Sequence, residues 1–259
     1  MAAQLSPAEH FDRLAADWDA NYDRLSWDRH RRRVRLSAAL ELIGPGPGAL
    51  LEVGCGSGHL LPPLLEAGWD VHGVDPAPAM LERAHGRAPE AAGRLIPGRA
   101  EELPYERDSF DVVVAVASLE YSDMSRSVPE VARVLRPGGR AILALRNGRA
   151  PMAWWRRHVV YPLARAVKSR VRVGRRPPLS RYSALSPSSA RRLLAAAGLQ
   201  VRSTDVLACE ILPDPLNVAA PAIAYRAARA AERFAVMRSI FGAQRMFLAV
   251  KEGPSATTS

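Results

Sequence analysis

With 259 residues, 48% of them hydrophobic, the chain is long and apolar enough for one sizeable core, which excludes a disordered polymer. Its net charge of +10 looks toward an anionic substrate, surface or partner. Two cysteines, Cys55 and Cys209, stand far apart in unlike contexts and exclude a disulfide framework and a zinc-ligand spacing, so a reducing compartment is expected. The opening residues lack the apolar stretch of a signal peptide, and no unbroken apolar run reaches 18 residues. A cytoplasmic location follows as the expectation, with at most peripheral contact to a membrane.

Ser6-Pro7-Ala8-Glu9 reads as a helix start: a capping hydroxyl, proline in the first turn, glutamate three residues on. That helix should run to about Arg24. A second, from near Trp27 to Leu42, carries Arg29, Arg31, Arg32, Arg33 and Arg35 and is stopped by Gly44-Pro45-Gly46-Pro47-Gly48. Short apolar runs then alternate with helical stretches, the signature of a parallel α/β sheet. Strands are expected near 49–53, 70–74, 94–97, 110–116, 140–146, 200–207 and 245–251. Helices are expected near 58–67, 77–87, 126–135 and 187–197, the last capped by Gly198. Pro137-Gly138-Gly139 reads as a turn ahead of the fifth strand. Residues 253–259 read as a disordered tail.

The densest information lies in Leu51-Glu52-Val53-Gly54-Cys55-Gly56-Ser57-Gly58. An apolar strand enters a turn with glycine at every second position, and a helical pattern follows. Glycine tolerates positive φ and has no Cβ, so such a turn lets backbone approach a ligand closely, with a helix start beyond it. The spacing is not that of the dinucleotide fingerprint, and the phosphate-loop G-K-[ST] is absent. Glu52 at the strand end would repel a pyrophosphate but suits an ammonium-bearing ligand. Asp75 ends the second strand, 23 residues later, where an acid can accept hydrogens from both ribose hydroxyls.

With these pieces the chain resembles the class I S-adenosylmethionine-dependent methyltransferases, and within them the quinone, lipid and natural-product branch. The likeness extends through Val74-Asp75-Pro76-Ala77-Pro78-Ala79-Met80-Leu81, Gly98-Arg99-Ala100-Glu101-Glu102-Leu103, Ser109-Phe110-Asp111-Val112-Val113-Val114 and Glu130-Val131-Ala132-Arg133-Val134-Leu135-Arg136-Pro137-Gly138-Gly139, in that order over residues 48–146. It implies a Rossmann-like doubly wound, seven-stranded, mostly parallel sheet with helical lid insertions. Residues 1–44 would be capping helices and 45–252 the cofactor-binding domain, with insertions at 147–185 and 209–243.

The resemblance also implies roles. Glu52 and the turn residues Gly54, Cys55, Gly56 and Gly58 would hold the methionine part of S-adenosyl-L-methionine. Asp75, followed by Pro76, would take the ribose hydroxyls, and Met80 would pack on the adenine. Ala100 and Glu101 would meet the adenine edge, and Ser118 would line the sulfonium end. Tyr22, on the first helix, would close over the cofactor. Arg99 stands where the family often has an acid, so that contact to the adenine amino group is not carried over.

Methyl transfer to a hydroxyl or an activated carbon profits from a general base, and the base candidates are Glu120 and Tyr121 after the fourth strand and His158 in the first insertion. His59, beside the glycine turn, is either a base or simply the helix start. No metal-ligand spacing occurs, so no metal is expected. The reading is O- or C-methylation of a small lipophilic or anionic acceptor. A non-methylating reaction on the same cofactor-binding fold, such as a cyclisation, is the alternative.

Residues 131–204 carry 17 Arg and Lys and no Asp or Glu. Trp154-Trp155-Arg156-Arg157 within this block suits an interfacial helix on an anionic membrane, though a core-packed helix with a solvated basic face is the favoured reading. An acidic carrier protein is a further candidate partner. Nucleic acid is disfavoured, since Ser118-Leu119-Glu120-Tyr121 replaces the Asn/Asp-Pro-Pro-Tyr/Phe motif of many base methylases.

Overall fold

The computed structural model describes residues 5–19, 27–155, 158, 159, 162, 183–211 and 219–253. The apolar runs become strands β1 (Ala49–Val53), β2 (Asp70–Asp75), β3 (Leu95–Pro97), β4 (Phe110–Val116), β5 (Leu135–Arg146), β6 (Leu199–Cys209) and β7 (Gly242–Lys251). They form one sheet in the order β3-β2-β1-β4-β5-β7-β6. Pairings from β3 across to β5 are parallel, while β7 runs antiparallel to both β5 and β6.

Alternation along the strands divides the core into two layers, because successive side chains point to opposite faces. Leu50, Val112, Val114, Ile142 and Ala144 face one layer; Leu51, Val113, Ala115, Leu143 and Leu145 face the other. The first face is covered by α2 (Trp27–Ile43), α3 (Leu61–Glu66) and α4 (Pro78–Arg87), which contribute Ala39, Ile43, Leu61, Leu64, Leu81 and Ala84. The second is covered by α5 (Met124–Val134) and α7 (Pro187–Ala196), through Val128, Val131, Ala190 and Leu194. α2 is therefore a layer helix of the sheet as well as part of the cap. Arg140 fastens it there by donating to the carbonyls of Leu42 (3.2 Å) and Ile43 (3.0 Å) at its C-terminal end.

Helix α1 (Pro7–Trp18) begins with the capping box expected from its sequence: the Ser6 hydroxyl accepts from Glu9 N–H, and the Glu9 carboxylate accepts from Ser6 N–H. It lies across the start of α4. Asp12 accepts from Ala79 N–H at 2.9 Å, and Ala15 packs with Ala77 and Met80. Among the described residues, further α-helices are α6 (Pro151–Trp155) in the first insertion and α8 (Pro221–Ala231) and α9 (Ala235–Phe241) in the second.

Several boundaries differ from the sequence reading: α1 ends at Trp18 with Asp19 as its C-cap rather than near Arg24, β7 starts at Gly242 rather than near 245, and two further shifts are set by glycines. α3 starts at Leu61 rather than 58, because Gly58 holds φ +77°, which no right-handed helix contains. β5 starts at Leu135 rather than 140. Gly138 (φ +79°) lets Arg136–Gly139 bulge out of the ladder, so that Phe110 pairs with Leu135 and Val112 with Arg140.

An ion-paired clamp sets the wall beside β3. Arg133 donates to the Leu103 and Tyr105 carbonyls at 3.0 and 2.8 Å and to both oxygens of Glu130, and Glu130 accepts from Leu103 N–H at 2.8 Å. Arg133→Ala is expected to lower the unfolding free energy by about 2 kcal/mol, since charge-assisted bonds to partly buried backbone are lost. Urea denaturation measures this; a loss under about 0.5 kcal/mol would contradict it.

Candidate active site

The order of strands reverses between β1 and β4, and ligands of open α/β sheets bind outside the carboxyl ends of strands at such a point. Here the glycine turn after β1 meets the loop after β4. A Cβ on Gly54 would stand 2.2 Å from the Cβ of Ser118, so only glycine admits this approach. The Ser118 hydroxyl locks it by donating to the Val53 carbonyl at 2.5 Å. Ala117, just before, is held at φ +57°.

The turn works differently from the sequence expectation. Its N–H groups are engaged within the fold: those of Gly54 and Cys55 on the Val74 carbonyl, that of Gly56 on Asp75, that of Gly58 on the Cys55 carbonyl. What the turn gives the cleft is space. Gly56 (φ +54°) lines it with nothing within 4 Å of its Cβ position. Gly58 does not line it; the missing Cβ there admits Ala84 of α4 at 3.1 Å. Cys55 is buried, and burial, with Glu52 and Asp75 adding, pushes its thiol well up, so it is no nucleophile.

Glu52 and Asp75 form the electrostatic centre. Glu52 is 5% exposed, and its Oε2 has no hydrogen-bond partner among the described residues. Burial, and then the charge of Asp75, raises its carboxyl far above the ordinary range. A cationic group entering the cleft would reverse that penalty. Asp75 accepts from Gly56 N–H (2.8 Å) through Oδ2 and from Ala77 N–H (2.9 Å) through Oδ1, which leaves a lone pair on each oxygen. Burial pushes it up to about 6 against the pull of those two bonds. The folded state thus binds this proton more tightly than the unfolded chain does. Its contribution to stability is full below the ordinary aspartate value and is lost as pH rises through about 6. Binding of a ligand that donates to the carboxylate has the opposite slope. Affinity for S-adenosylhomocysteine is expected to rise about tenfold from pH 5 to pH 7, and Asp75→Asn to remove most of that rise. Calorimetric titrations across that range decide it, and a flat wild-type profile would contradict it.

Beyond Asp75 the cleft is lined by Pro76, Met80, Gly98, Arg99, Ala100 and Glu101. Met80 is 1% exposed and packs with Phe11 and Trp18 of α1. The Glu101 carboxylate accepts from Asp123 N–H at 3.0 Å and pairs with Arg99 at 3.3 Å, which gives Arg99 a place in the fold. Asp19, after α1, gathers Arg83 (2.8 Å), Arg87 (3.1 Å) and His59 (3.1 Å) and so ties the cap to α4 and the turn. Burial and the nearby Arg87 lower the His59 imidazole to about 4, which suits this structural role better than that of a base.

At the other end stand Ser118, Glu120 and Tyr121, with Arg31, Arg32 and Arg35 from α2 and Arg146 from the end of β5. Glu120 is 1% exposed; Oε1 accepts from Arg146 at 3.3 Å, and Oε2 has no hydrogen-bond partner among the described residues. Tyr121 stacks edge-on against Phe11, ring centroids 5.0 Å apart. Burial, and then Glu120, raises its phenol, so it is a hydrogen-bond donor rather than a base. Arg32 lies over the Trp18 ring at 4.2 Å.

His158 is not brought to the cleft. It is exposed and stacks on Trp154, centroids 4.9 Å apart, one helical turn before it. This corrects its candidacy as a base. Tyr22 lies outside the described residues, as do the tail from 254 onward and much of both insertions. The α2 arginines were visible in the sequence, but nothing there aimed them at the cleft. Within the acid-poor block, Arg133, Arg136, Arg140 and Arg146 turn onto carboxylates or carbonyls of the fold.

A switch-point cleft with a glycine turn, a buried glutamate and an acid at the tip of β2 is the arrangement that the resemblance to the class I S-adenosylmethionine-dependent methyltransferases implies. The comparisons agree. Residues 51–143 match the family described as methyltransferase domain, and the chain carries such a domain there. An uncharacterized methyltransferase of Mycobacterium tuberculosis (strain ATCC 25618 / H37Rv) is 40% identical over 131 residues, 51% of this chain and 53% of that protein. The demethylmenaquinone methyltransferase of Renibacterium salmoninarum is 33% identical over 139 residues, 53% of this chain and 57% of that protein. The chain thus spans about half the length of the curated relatives it matches. A methyltransferase solved in complex with the Haloferax volcanii Trm112 methyltransferase activator aligns with a TM-score of 0.66 over 94% of this chain and 98% of that one. At 22% identity that likeness is one of fold.

Proposed function

We propose that this chain moves a methyl group from S-adenosylmethionine to oxygen or carbon of a small, lipophilic or anionic acceptor bound beside Glu120 and Tyr121. The observation that carries the reading is one cleft lined both by Glu52 and Asp75 and by Glu120, whose buried Oε2 has no hydrogen-bond partner among the described residues. The residues fit the cofactor: Glu52 offers a carboxylate to its ammonium group, Asp75 offers two free lone pairs to ribose hydroxyls, and Met80 offers an apolar wall to adenine. Bound there, S-adenosylmethionine supplies an electrophilic methyl on a sulfonium.

The chain's own contribution is alignment, exclusion of water and removal of a proton. α1, with Phe11 and Trp18, covers the cleft. In this reading Glu120 takes the acceptor's proton as the acceptor's new bond to the methyl carbon forms, while Tyr121 donates a hydrogen bond. A ring-bearing lipophilic acceptor is supported by the name of the Renibacterium relative. Incubation of the full chain with methyl-labelled S-adenosylmethionine and a panel of quinols, phenols and small acids tests the reading. Labelled product and S-adenosylhomocysteine should appear in equal amounts. Product formed without S-adenosylhomocysteine would refute methyl transfer and point to a non-methylating reaction.

A further inference from the structure

The second insertion turns a mixed basic and apolar face outward. On α8, Ala224, Ala228 and Ala231 are buried, so the opposite side of the helix looks out. Ile223 is 62% exposed, and Arg226, Arg229 and Arg233 follow at helical spacing as an exposed stripe. With Ala222 and Ala230 these arginines line a shallow groove along the helix. Glu232 is the one acid in 219–241, and it turns inward: it accepts from Cys209 N–H at 2.6 Å and meets His30 at 3.5 Å.

Helix α9 continues the face. Arg238 holds it to the end of α8 by donating to the Glu232 carbonyl at 2.7 Å. Phe234, its N-cap, is 62% exposed, Val236 67%, and Ile240, one turn further, 47%. α9 packs against α6, where Trp154 is 60% exposed and no residue is buried. Trp154 therefore does not enter the core, as the favoured reading of its sequence had it. The exposed large apolar side chains among the described residues all lie on these three short helices or at the cap of α9. Scattered singly they would call for no explanation; gathered beside a basic stripe they mark an interaction surface. The face stands at the end of the sheet that carries the cleft. Asn147, next to the cleft-lining Arg146, donates its N–H to Ala243 at 2.9 Å, and Glu210 N–H donates to the Phe241 carbonyl at 3.0 Å.

We propose that this face docks on the surface of an anionic lipid bilayer, with Trp154, Phe234, Val236 and Ile240 seated among the headgroups and Arg226, Arg229 and Arg233 on lipid phosphates. The apolar side chains gain by leaving water, and tryptophan suits the headgroup level. Each arginine held near an anionic leaflet tightens binding about fivefold. The apolar side chains project outward, and the groove beside them is lined mainly by arginine and alanine. A fluid surface moulds around such projections, whereas a folded partner would need a matching set of hollows. The sequence that continues from α6, residues 156–182, adds nine basic and no acidic residues. No helix among the described residues is long and apolar enough to cross a membrane, so the contact is peripheral. The proposal goes beyond the methyl-transfer reading and does not depend on it. It gives the anionic partner suggested by the net charge a place on the second insertion.

Flotation of the full chain with vesicles tests it. Vesicles of phosphatidylcholine and phosphatidylglycerol in equal parts are compared with vesicles of phosphatidylcholine alone. Binding to the anionic vesicles should be tighter by about tenfold or more. A variant combining Arg226→Gln, Arg229→Gln and Arg233→Gln should weaken it by about tenfold or more, and so should one combining Phe234→Ser and Val236→Ser. All five positions are exposed, so both variants should keep the wild-type thermal unfolding and the wild-type affinity for S-adenosylhomocysteine. Should the apolar variant unfold, Trp154→Phe reads the same face: the blue shift of tryptophan emission on adding anionic vesicles should largely vanish. Equal binding to both vesicle types would overturn the proposal. So would anionic-vesicle binding that neither combined variant weakens, which would place the contact elsewhere on the chain. Binding to polyaspartate without binding to vesicles would also overturn it and assign the arginines to an acidic protein.

Discussion

Gly54→Ala is expected to abolish measurable cofactor binding and to lower the unfolding free energy by about 3 kcal/mol. Two costs add. An L-residue at φ +73° is strained by about 1–2 kcal/mol, and a Cβ 2.2 Å from that of Ser118 must push the two loops apart. The loops that separate are the ones flanking the switch point, so the cleft changes shape where Glu52 and Ser118 meet it. Gly56→Ala is the informative companion. It carries similar strain at φ +54° but has open space around the added methyl. Its stability loss should stay near about 1 kcal/mol. Chemical denaturation of both variants separates the two costs. Equal losses would show that the approach of Ser118 to Gly54 is not what demands glycine there.

Asp75→Ala should weaken S-adenosylhomocysteine binding by at least about 100-fold. Two hydrogen bonds from ribose hydroxyls to a charged acceptor, at about 1.5 kcal/mol or more each, account for that factor. The variant also strands the N–H groups of Gly56 and Ala77, which now rest on the carboxylate, so the turn loses its anchor to β2. For the empty protein at neutral pH the buried carboxylate, raised to about 6, opposes folding and offsets part of the lost anchoring, so the stability loss should be much smaller than the binding loss. Calorimetry on wild type and variant, beside thermal unfolding of both, measures each. A binding loss under about tenfold would remove Asp75 from the cofactor site.

What was legible in the sequence was whatever is encoded locally. The strand, glycine turn and acid around Glu52 and Asp75 could be read because their spacing is short and their chemistry is bound to backbone conformation. The seven strands could be read because their apolar runs are bounded by turn residues. Where a glycine conformation decided the boundary, the reading slipped. The left-handed Gly58 delays α3 to Leu61, and the left-handed Gly138 admits a bulge that lets β5 begin at Leu135. Neither φ value can be seen in residue identity alone.

The acceptor half was legible only in part. Glu120 and Tyr121 follow β4 and inherit their position from the sheet order. The arginines do not. Arg35 and Arg146 are separated by more than a hundred residues, and only the packing of α2 on the sheet beside β5 brings them to one cleft. The composition showed a long acid-free block and suggested an outward partner. In the structure several of its arginines are consumed in pinning the fold, whereas α2, outside that block, supplies most of the cleft's positive charge. His158 shows the converse: a catalytic residue type in an insertion, stacked on Trp154 away from the cleft.

Equilibrium titration of S-adenosylhomocysteine into the full-length chain at pH 7.5, followed by calorimetry, tests the central claim most directly. The account predicts one site per chain, with binding lost in Asp75→Ala while that variant stays folded. A folded wild-type protein that releases no binding heat, and is not stabilised against thermal unfolding by S-adenosylhomocysteine, would contradict it.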